Sequence, residues 1–324
     1  MPYYLAFDSG GSKSRAILFD ERGPLGFGLS GGTNTNFTTP EDCRRNIADC
    51  LTQALGALDA SQRPVIDTVY AVIVGPLAVL AEELAARATV GEVRQLGEGQ
   101  AAVLAGALSP VGMAAMSGTG SDAFYTGPGG TRGVVGALGA ILGDDGSGAW
   151  IGQQALRRAL AYGEGWGEPT VLSEMIFADW GFTEKWDLVN AVYRSHAPFR
   201  KVASVLPVVG AAARRGDAVA LSILEEAGRL MAVQVAALIR RECIVPEARF
   251  CVCCGGAWKA HPAMFDAFRA HMRASNPDVP VSKPIFEHVM AGVVLRLLEA
   301  EPALSQAELC AALEGPYQAL RITW

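Results

Sequence analysis

The chain has 324 residues and a formal net charge of −6, with 50% hydrophobic residues, 37 glycines and 17 prolines. This length exceeds what one hydrophobic core usually serves, so we expect two domains, and the composition is typical of a globular α/β protein. The negative charge, with no Lys/Arg run longer than a pair, argues against nucleic acid as a partner.

The chain begins with a strand, a glycine turn and a second strand. An apolar run from Tyr3 to Asp8 is interrupted by a polar, glycine-containing sequence and resumes over Ser14–Asp20, which predicts a β-hairpin. Glycine lets the main chain approach a phosphate closely, so the turn is a candidate phosphate site. The candidate residues are Asp8, which would hold Mg²⁺ through water, and Gly10, Gly11, Ser12 and Lys13. A glycine-rich surface turn with a solvated lysine explains this hairpin, viewed alone, equally well.

Helix and strand signals alternate after the first hairpin. Thr39 as N-cap, Pro40 at the first position and Asp42 in a capping box predict a helix. An apolar run then ends at Gly75–Pro76 and is followed by an Ala/Leu-rich helix. This alternation predicts a layered α/β domain.

The opening pattern repeats near Ser109. A short apolar run, Met113–Met116, is broken by Ser117–Asp122 and resumes over Ala123–Tyr125. Such a duplication predicts paired domains with equivalent turns facing each other across a cleft. We place the domains at 1–112 and 113–324, hinged near Ser109–Gly112, and leave open that a C-terminal helix packs back on the first domain.

The second half is predominantly helical. The patterns predict helices over Ser147–Ala161, from the N-cap Asp217 to Arg240, and over Pro262–Ala274. A strand over Arg249–Cys254 ends in two glycines. The cysteines of this strand lack partners at metal-site spacing, which favours buried thiols over a metal site.

Two common nucleotide-binding motifs are excluded. The sequence contains no G-x-x-x-x-G-K-[ST], and Gly118-Thr119-Gly120 precedes a strand-like segment, whereas a dinucleotide fingerprint opens a helix. A third glycine cluster places Asp144 and Asp145 before a predicted helix, where Asp145 or Ser147 could simply cap that helix.

Four motifs together indicate a family. In chain order they are DSGGSKS, SGTGSD, GDDGSGAWIG and CGGAWK. Their order and spacing resemble those of N-acetylglucosamine kinases and BadF/BadG/BcrA/BcrD-type ATPases, within the actin/hexokinase/heat-shock ATPase superfamily. The resemblance implies an α/β fold of two ribonuclease-H-like, actin-like ATPase domains with an interdomain cleft.

The resemblance also implies ligand contacts. The first turn and Ser117–Gly120 would hold the ATP phosphates, with direct contact from Thr119 and with Gly118 and Gly120 in the turn. Gly255 and Gly256 would form the adenosine-binding turn. The residues expected at the sugar are Asn36, Glu98, Ala137, Leu138, Gly139 and Asp144. The family's catalytic Asp falls on Glu98.

These observations predict an ATP- and Mg²⁺-dependent kinase of an amino sugar, N-acetylglucosamine or glucosamine. A carboxylate would deprotonate the primary hydroxyl, with Glu98 as the base and Asp144 as the reserve candidate. Two alternatives stay open. One is a non-catalytic sugar or nucleotide sensor, and the other is an activator ATPase for a dehydratase, disfavoured because Gly120–Gly148 contains no Cys for an iron–sulfur cluster.

Cellular context follows from weaker signals. The N-terminus lacks the charged and apolar regions of a signal peptide, so we expect a cytoplasmic protein that does not bind membranes. Homodimerisation is implied by the family alone.

Overall fold

The computed structural model describes residues 2–35, 38–58 and 63–323. The strands, in chain order, are β1 (Tyr3–Ser9), β2 (Lys13–Asp20), β3 (Gly23–Gly31), β4 (Val65–Ile73), β5 (Thr89–Gln95), β6 (Gly112–Ser117), β7 (Ser121–Thr126), β8 (Arg132–Gly136), β9 (Cys251–Cys254) and β10 (Val281–Ser282).

The helices follow the same numbering by chain order. They are α1 (Pro40–Leu55), α2 (Leu77–Arg87), α3 (Glu98–Ala107), α4 (Gly148–Gly163), α5 (Leu172–Trp180), α6 (Lys185–Tyr193), α7 (Pro198–Ala203), α8 (Leu206–Arg214), α9 (Ala218–Arg241), α10 (Pro262–Ser275), α11 (Met290–Ala300) and α12 (Gln306–Glu314). Among the described residues, no helix is long and apolar enough to cross a membrane.

The chain forms two compact units. The first comprises residues 1–111 together with 284–323, and the second comprises 112–283. The first unit is therefore built from two chain segments, because the chain returns after residue 283 and α11 and α12 join the buried cluster that contains residues of β1, β2 and β4. The domain division that we predict from the sequence, in contrast, treats residues 113–324 as one domain.

The first unit contains a five-stranded sheet in the order β3-β2-β1-β4-β5. The pairs β1–β2 and β2–β3 are antiparallel, whereas β1–β4 and β4–β5 are parallel. The register pairs Ser9 with Ser14 across the turn, which confirms the predicted first hairpin.

Both faces of this sheet are covered. Leu5 and Phe7 of β1 belong to one buried cluster with residues of α1 and α2. Tyr4 and Ala6 point to the opposite cluster, which contains residues of α3, α11 and α12. This alternation along β1 follows from the two-residue period of a strand, and it explains why the N-terminal strand is apolar on both faces.

The second unit repeats the same sheet. Its order is β10-β9-β6-β7-β8, with β6–β7 and β7–β8 antiparallel and β6–β9 and β9–β10 parallel. The predicted second hairpin and duplication are therefore confirmed. The strand β9 is shorter than the predicted Arg249–Cys254, and all three of its cysteines are buried free thiols, as expected.

Capping residues determine the helix starts. The Thr39 hydroxyl accepts a hydrogen bond from the Asp42 N–H (3.2 Å), and the Asp217 carboxylate accepts one from the Ala220 N–H (2.8 Å). Both helices begin one residue after these caps, as predicted.

Candidate functional site

The first glycine turn joins β1 to β2 in the first unit. The Gly10 N–H donates to the Lys13 carbonyl (3.1 Å), which closes the turn. The Gly10 carbonyl accepts from the N–H groups of Thr33 (2.9 Å) and Asn34 (3.3 Å). A Cβ added at Gly10 would meet nothing within 4 Å, so one side of the main chain faces open space. A phosphate could approach the backbone closely on this side.

The buried residue Thr33 stabilises this turn. It is completely buried, and its hydroxyl lies 2.7 Å from that of Ser9 and 3.3 Å from the Val74 carbonyl. The Cys43 thiol donates to the Thr33 carbonyl at 3.1 Å. Thr33 therefore stabilises the turn, while Asn36, a predicted sugar contact, lies outside the described residues.

Charged side chains surround the first turn. Lys13 and Arg15 each lie 3.4 Å from a carboxylate oxygen of Glu287. Burial raises the pKa of Asp8 to about 7, with Lys13 acting to lower it and Glu287 to raise it. A proton-binding carboxyl with a pKa near neutrality is common at functional sites, because burial and charge partners are concentrated there.

Glu98 is the first residue of α3, after the N-cap Gly97. Its side chain reaches solvent, yet desolvation by the surrounding protein is the largest influence raising its pKa, with His288 lowering it and Asp8 raising it. Burial lowers the pKa of His288, while Glu98 and Glu287 act in the opposite direction. Asp8, Glu98, Glu287 and His288 therefore form one electrostatic group in the first unit.

The sequence analysis singled out neither Glu287 nor His288. No local signal identifies them, because Glu287 lies 274 positions from the lysine it contacts. The strand-turn-strand motif shows where Lys13 lies, but only the return of the chain to the first unit places Glu287 beside it.

The second glycine turn joins β6 to β7 in the second unit. The Gly118 N–H donates to the Gly120 carbonyl (2.9 Å). The carbonyls of Gly118 and Thr119 accept from the N–H groups of Gly148 (2.8 Å) and Ala149 (3.1 Å) at the start of α4. A Cβ added at Gly118 would meet nothing within 4 Å. The second turn is thus fixed to a helix N-terminus and also has an open side.

The buried side chain of Asp144 stabilises the second turn. Its carboxylate accepts hydrogen bonds from the backbone N–H groups of Ser121 and Gly139, which lower its pKa, although burial has the larger effect and raises it. A Cβ at Gly120 would lie 2.7 Å from the Asp144 Oδ2 atom, so a side chain at this position would require the carboxylate to move. Asp144 therefore links the turn to the loop that follows β8.

The N-cap of α4 is Ser147, not Asp145. The Ser147 hydroxyl accepts from the Trp150 N–H (3.0 Å). Asp145 contributes its backbone carbonyl instead, which accepts from the Ser121 hydroxyl (2.9 Å) and from Gln234 (2.8 Å). The alternative of a capping role is thus confirmed for Ser147.

The loop after β8 carries the other predicted sugar contacts. The Ala137 N–H donates to the Ser121 carbonyl (3.2 Å), and both Ala137 and Gly139 have positive φ angles, of 59° and 79°. Leu138 is 63% exposed. Ile141 and Leu142, which sequence reasoning did not single out, are also exposed in this loop.

Gly255 and Gly256 end β9 and have different environments. Gly255 has a φ of +111°, and a Cβ there would lie 2.1 Å from the Ser117 carbonyl oxygen. A Cβ at Gly256 would meet nothing within 4 Å. Gly255 therefore packs under the second turn, whereas Gly256 faces open space.

The predicted residues fall into two groups. The first unit brings together Asp8, Lys13 and Glu98, and the second brings together the Ser117–Gly120 turn, Asp144 and Gly255. A Cβ added at Gly10, Gly118 or Gly256 would meet nothing within 4 Å, so the main chain has an open side at each of these glycines. Among the described residues, no group of three His, Cys, Asp or Glu side chains could hold a metal ion directly.

A family model and a sequence relative each match most of this chain. The BadF/BadG/BcrA/BcrD ATPase family matches residues 7–293. The N-acetylmuramic acid/N-acetylglucosamine kinase of Clostridium acetobutylicum is 25% identical over 311 residues, covering 93% of this chain and 100% of the relative.

Two solved structures have the same fold. One is a protein of Chromobacterium violaceum assigned provisionally as an N-acetylglucosamine kinase, with a TM-score of 0.69, 20% identity and coverage of 91% of this chain and 99% of that one. The other is a ROK-family glucokinase of Streptomyces griseus in complex with glucose and AMPPNP, with a TM-score of 0.57, 18% identity and coverage of 90% and 97%. The predicted actin-like ATPase fold of two α/β domains is confirmed.

Proposed function

Because the chain belongs to the BadF/BadG/BcrA/BcrD ATPase family, we propose that it is an ATP-dependent kinase that phosphorylates an amino sugar. The proposed acceptor is N-acetylglucosamine or glucosamine, at the primary hydroxyl. The observation that carries the proposal is that each unit has a glycine turn with an open side, and that in the first unit the Glu98 carboxylate lies close enough to Asp8 to be affected by its charge. The similarity to a kinase of N-acetylmuramic acid and N-acetylglucosamine supports the substrate class.

The first unit supplies the proposed chemistry. Glu98 accepts the proton of the sugar hydroxyl, and its raised pKa makes the carboxylate a stronger base than an ordinary glutamate. Lys13 and the backbone of Gly10–Ser12 bind phosphate oxygens. When bound, Mg²⁺ would shield phosphate charge, and the Asp8 carboxylate would hold it through water.

The second unit holds the nucleotide in this proposal. The turn N–H groups and the Thr119 hydroxyl bind phosphates, and Gly255–Gly256 borders the adenosine. Asp144 keeps the turn in shape through its two backbone hydrogen bonds. The proposed sugar contacts are Asn36, Ala137, Leu138 and Gly139, together with Asp144.

A coupled assay of ADP release tests the proposal. Glucosamine, N-acetylglucosamine, N-acetylmuramic acid and glucose are compared at equal concentration with ATP and Mg²⁺, and the phosphorylated position is read by mass spectrometry and NMR. We expect sugar-dependent ADP release that is greatest with glucosamine or N-acetylglucosamine, and a 6-phosphate product. Binding of ATP and amino sugar without ADP release from any of these sugars would contradict the kinase and support the sensor alternative.

A further inference from the structure

Glu287 contacts both basic residues at the start of β2. One carboxylate oxygen lies 3.4 Å from the Lys13 Nζ atom and 3.4 Å from an Arg15 guanidinium nitrogen. The Glu287 side chain is 23% exposed, whereas that of Lys13 is 49% exposed. The proposed reaction assigns a role to Lys13 but none to Glu287.

The backbone around Glu287 is fixed from two sides. The N–H groups of Ile285 and Phe286 donate to the carbonyls of Gly106 (2.9 Å) and Ala105 (3.2 Å) at the end of α3. The Glu287 N–H donates to the Leu320 carbonyl (3.0 Å). The Phe286 side chain is completely buried. Glu287 therefore projects from a rigid segment, while its lysine partner is a long and half-exposed side chain.

The ion pair between Glu287 and Lys13 should add little to the stability of the fold, because ion pairs between exposed side chains contribute little to folding. A lysine side chain loses considerable rotamer entropy when a ligand fixes it. A carboxylate on a rigid segment removes part of that loss before the ligand arrives. An ammonium has three donors, and contact with Glu287 uses one direction, so the group can still donate to a phosphate.

We propose that Glu287 is a positioning residue that orients Lys13 toward the phosphates of the bound nucleotide. The proposal rests on the nucleotide site of the proposed function. Arg15, in contact with the same oxygen, holds the carboxylate in place from the other side. Glu287 itself does not touch the reacting atoms in this account.

A double-mutant cycle on ATP binding tests the proposal. Glu287→Gln keeps the shape of the side chain and removes its charge, Lys13→Met removes the ammonium, and both are combined. Glu301→Gln, the same change at an exposed position at the other end of α11, is the matched control. ATP dissociation constants are measured by calorimetry, and thermal melts check that each variant is folded.

We expect Glu287→Gln to weaken ATP binding about fivefold, the scale of a partly exposed ion pair. The double variant should bind ATP no more weakly than Lys13→Met, and Glu301→Gln should match the wild type. In sugar phosphorylation, Glu287→Gln should raise KM for ATP and leave kcat unchanged. A merely structural role would not produce this non-additivity or this separation of KM from kcat.

Unchanged ATP affinity in folded Glu287→Gln, or effects of the two single changes that multiply, would overturn the proposal. Such a result in a protein that phosphorylates sugars leaves the proposed function intact. Conversely, wild-type protein that binds ATP and shows the expected coupling, but phosphorylates no sugar, would contradict the proposed function alone.

Discussion

The two glycine turns occupy the same place in two sheets of identical strand order, yet their surroundings differ. The turn between β1 and β2 is bordered by titratable side chains, among them Asp8, Lys13 and Glu287. The turn between β6 and β7 is held by main-chain hydrogen bonds and by the buried carboxylate of Asp144. The two sheets thus share their strand order but differ in the groups that surround their turns.

In the proposed function, this difference gives the two turns different roles. A site rich in side chains with shifted pKa values can move protons, whereas a site of fixed N–H groups can bind anions without proton transfer. Both turns keep one glycine with an open side, Gly10 in the first and Gly118 in the second. The open glycine is therefore common to both turns. Each turn also has a carboxylate whose pKa is raised by burial, but only in the first unit do several such groups affect one another.

The largest effect is expected at Glu98. Glu98→Gln should lower kcat for sugar phosphorylation by about 10²- to 10⁴-fold, the usual contribution of a general base. The fold should be retained, since the side chain reaches solvent at the start of α3. Steady-state ADP release measures the loss, and Glu98→Asp, which keeps the carboxylate, serves as the control and should be more active. Full activity of Glu98→Gln would eliminate Glu98 as the base.

Substitutions at two glycines of the second unit should have different effects on folding and on ATP binding. Gly255→Ala places a Cβ 2.1 Å from the Ser117 carbonyl oxygen at a φ of +111°, and we expect a loss of about 2 kcal/mol or more in unfolding free energy. Gly118→Ala, where the added carbon meets open space, should change stability little and weaken ATP binding. Urea denaturation and calorimetry distinguish the two. Equal stability losses in both variants would contradict the assignment of open and packed glycines.

The pH dependence of stability tests the environment of Asp8. Its carboxyl has a pKa of about 7 in the folded protein against an ordinary value of 3.8, so the folded state binds the proton more tightly. The resulting stabilisation is complete below pH 3.8 and is lost as the pH rises through about 7. Its slope is at most about 1.4 kcal/mol per pH unit.

Asp8→Asn removes this titration. The unfolding free energy of the wild type minus that of Asp8→Asn should therefore decrease from pH 4 to pH 7.5, as measured by urea denaturation at each pH. Because other carboxyls titrate in both proteins, only the difference is informative. A difference that is constant or increases with pH would refute a raised pKa at Asp8.

The smallest effect is expected at Thr33, which stabilises the first turn. Thr33→Val removes a buried hydroxyl that lies 2.7 Å from Ser9, and we expect a loss of about 1 kcal/mol in unfolding free energy. Thr35→Val makes the same change at an exposed residue two positions along and should be nearly neutral. Thermal melts compare the pair. A neutral Thr33→Val would show that the turn needs no support from this hydroxyl.

Local signals in the sequence were sufficient for the duplicated hairpins and for the helix starts. Glycine turns between apolar runs predicted both hairpins, and the caps Thr39 and Asp217 predicted where α1 and α9 begin. These features depend on neighbours within a few residues, which is why a single sequence reveals them.

The strand β3 was missed for a physical reason. Its glycines weaken the strand pattern, yet a Cβ at Gly26 would lie 2.1 Å from the Ala54 carbonyl and one at Gly28 would lie 2.0 Å from the Cys50 carbonyl. These glycines allow α1 to pack directly on the strand. Only the packed structure shows that glycine is required there by contact rather than by a turn.

Tertiary contacts account for what the sequence left open at the site. The Asp144 carboxylate accepts hydrogen bonds from the N–H groups of Ser121 and Gly139, and these groups come together only in the folded unit. Glu287 and His288 join the first turn because the chain returns to the first unit after residue 283. Whether Glu98 and Asp144 act in catalysis stays a prediction.

Single-turnover phosphorylation of N-acetylglucosamine or glucosamine by Glu98→Gln and Asp144→Asn, at ATP and sugar concentrations that saturate each variant, separates phosphate transfer from nucleotide binding. We expect Glu98→Gln to bind ATP but to lose the transfer step, whereas Asp144→Asn should bind ATP more weakly and transfer phosphate at nearly the wild-type rate once saturated. Loss of transfer in saturated Asp144→Asn, with transfer intact in Glu98→Gln, would show that Asp144 rather than Glu98 is the base.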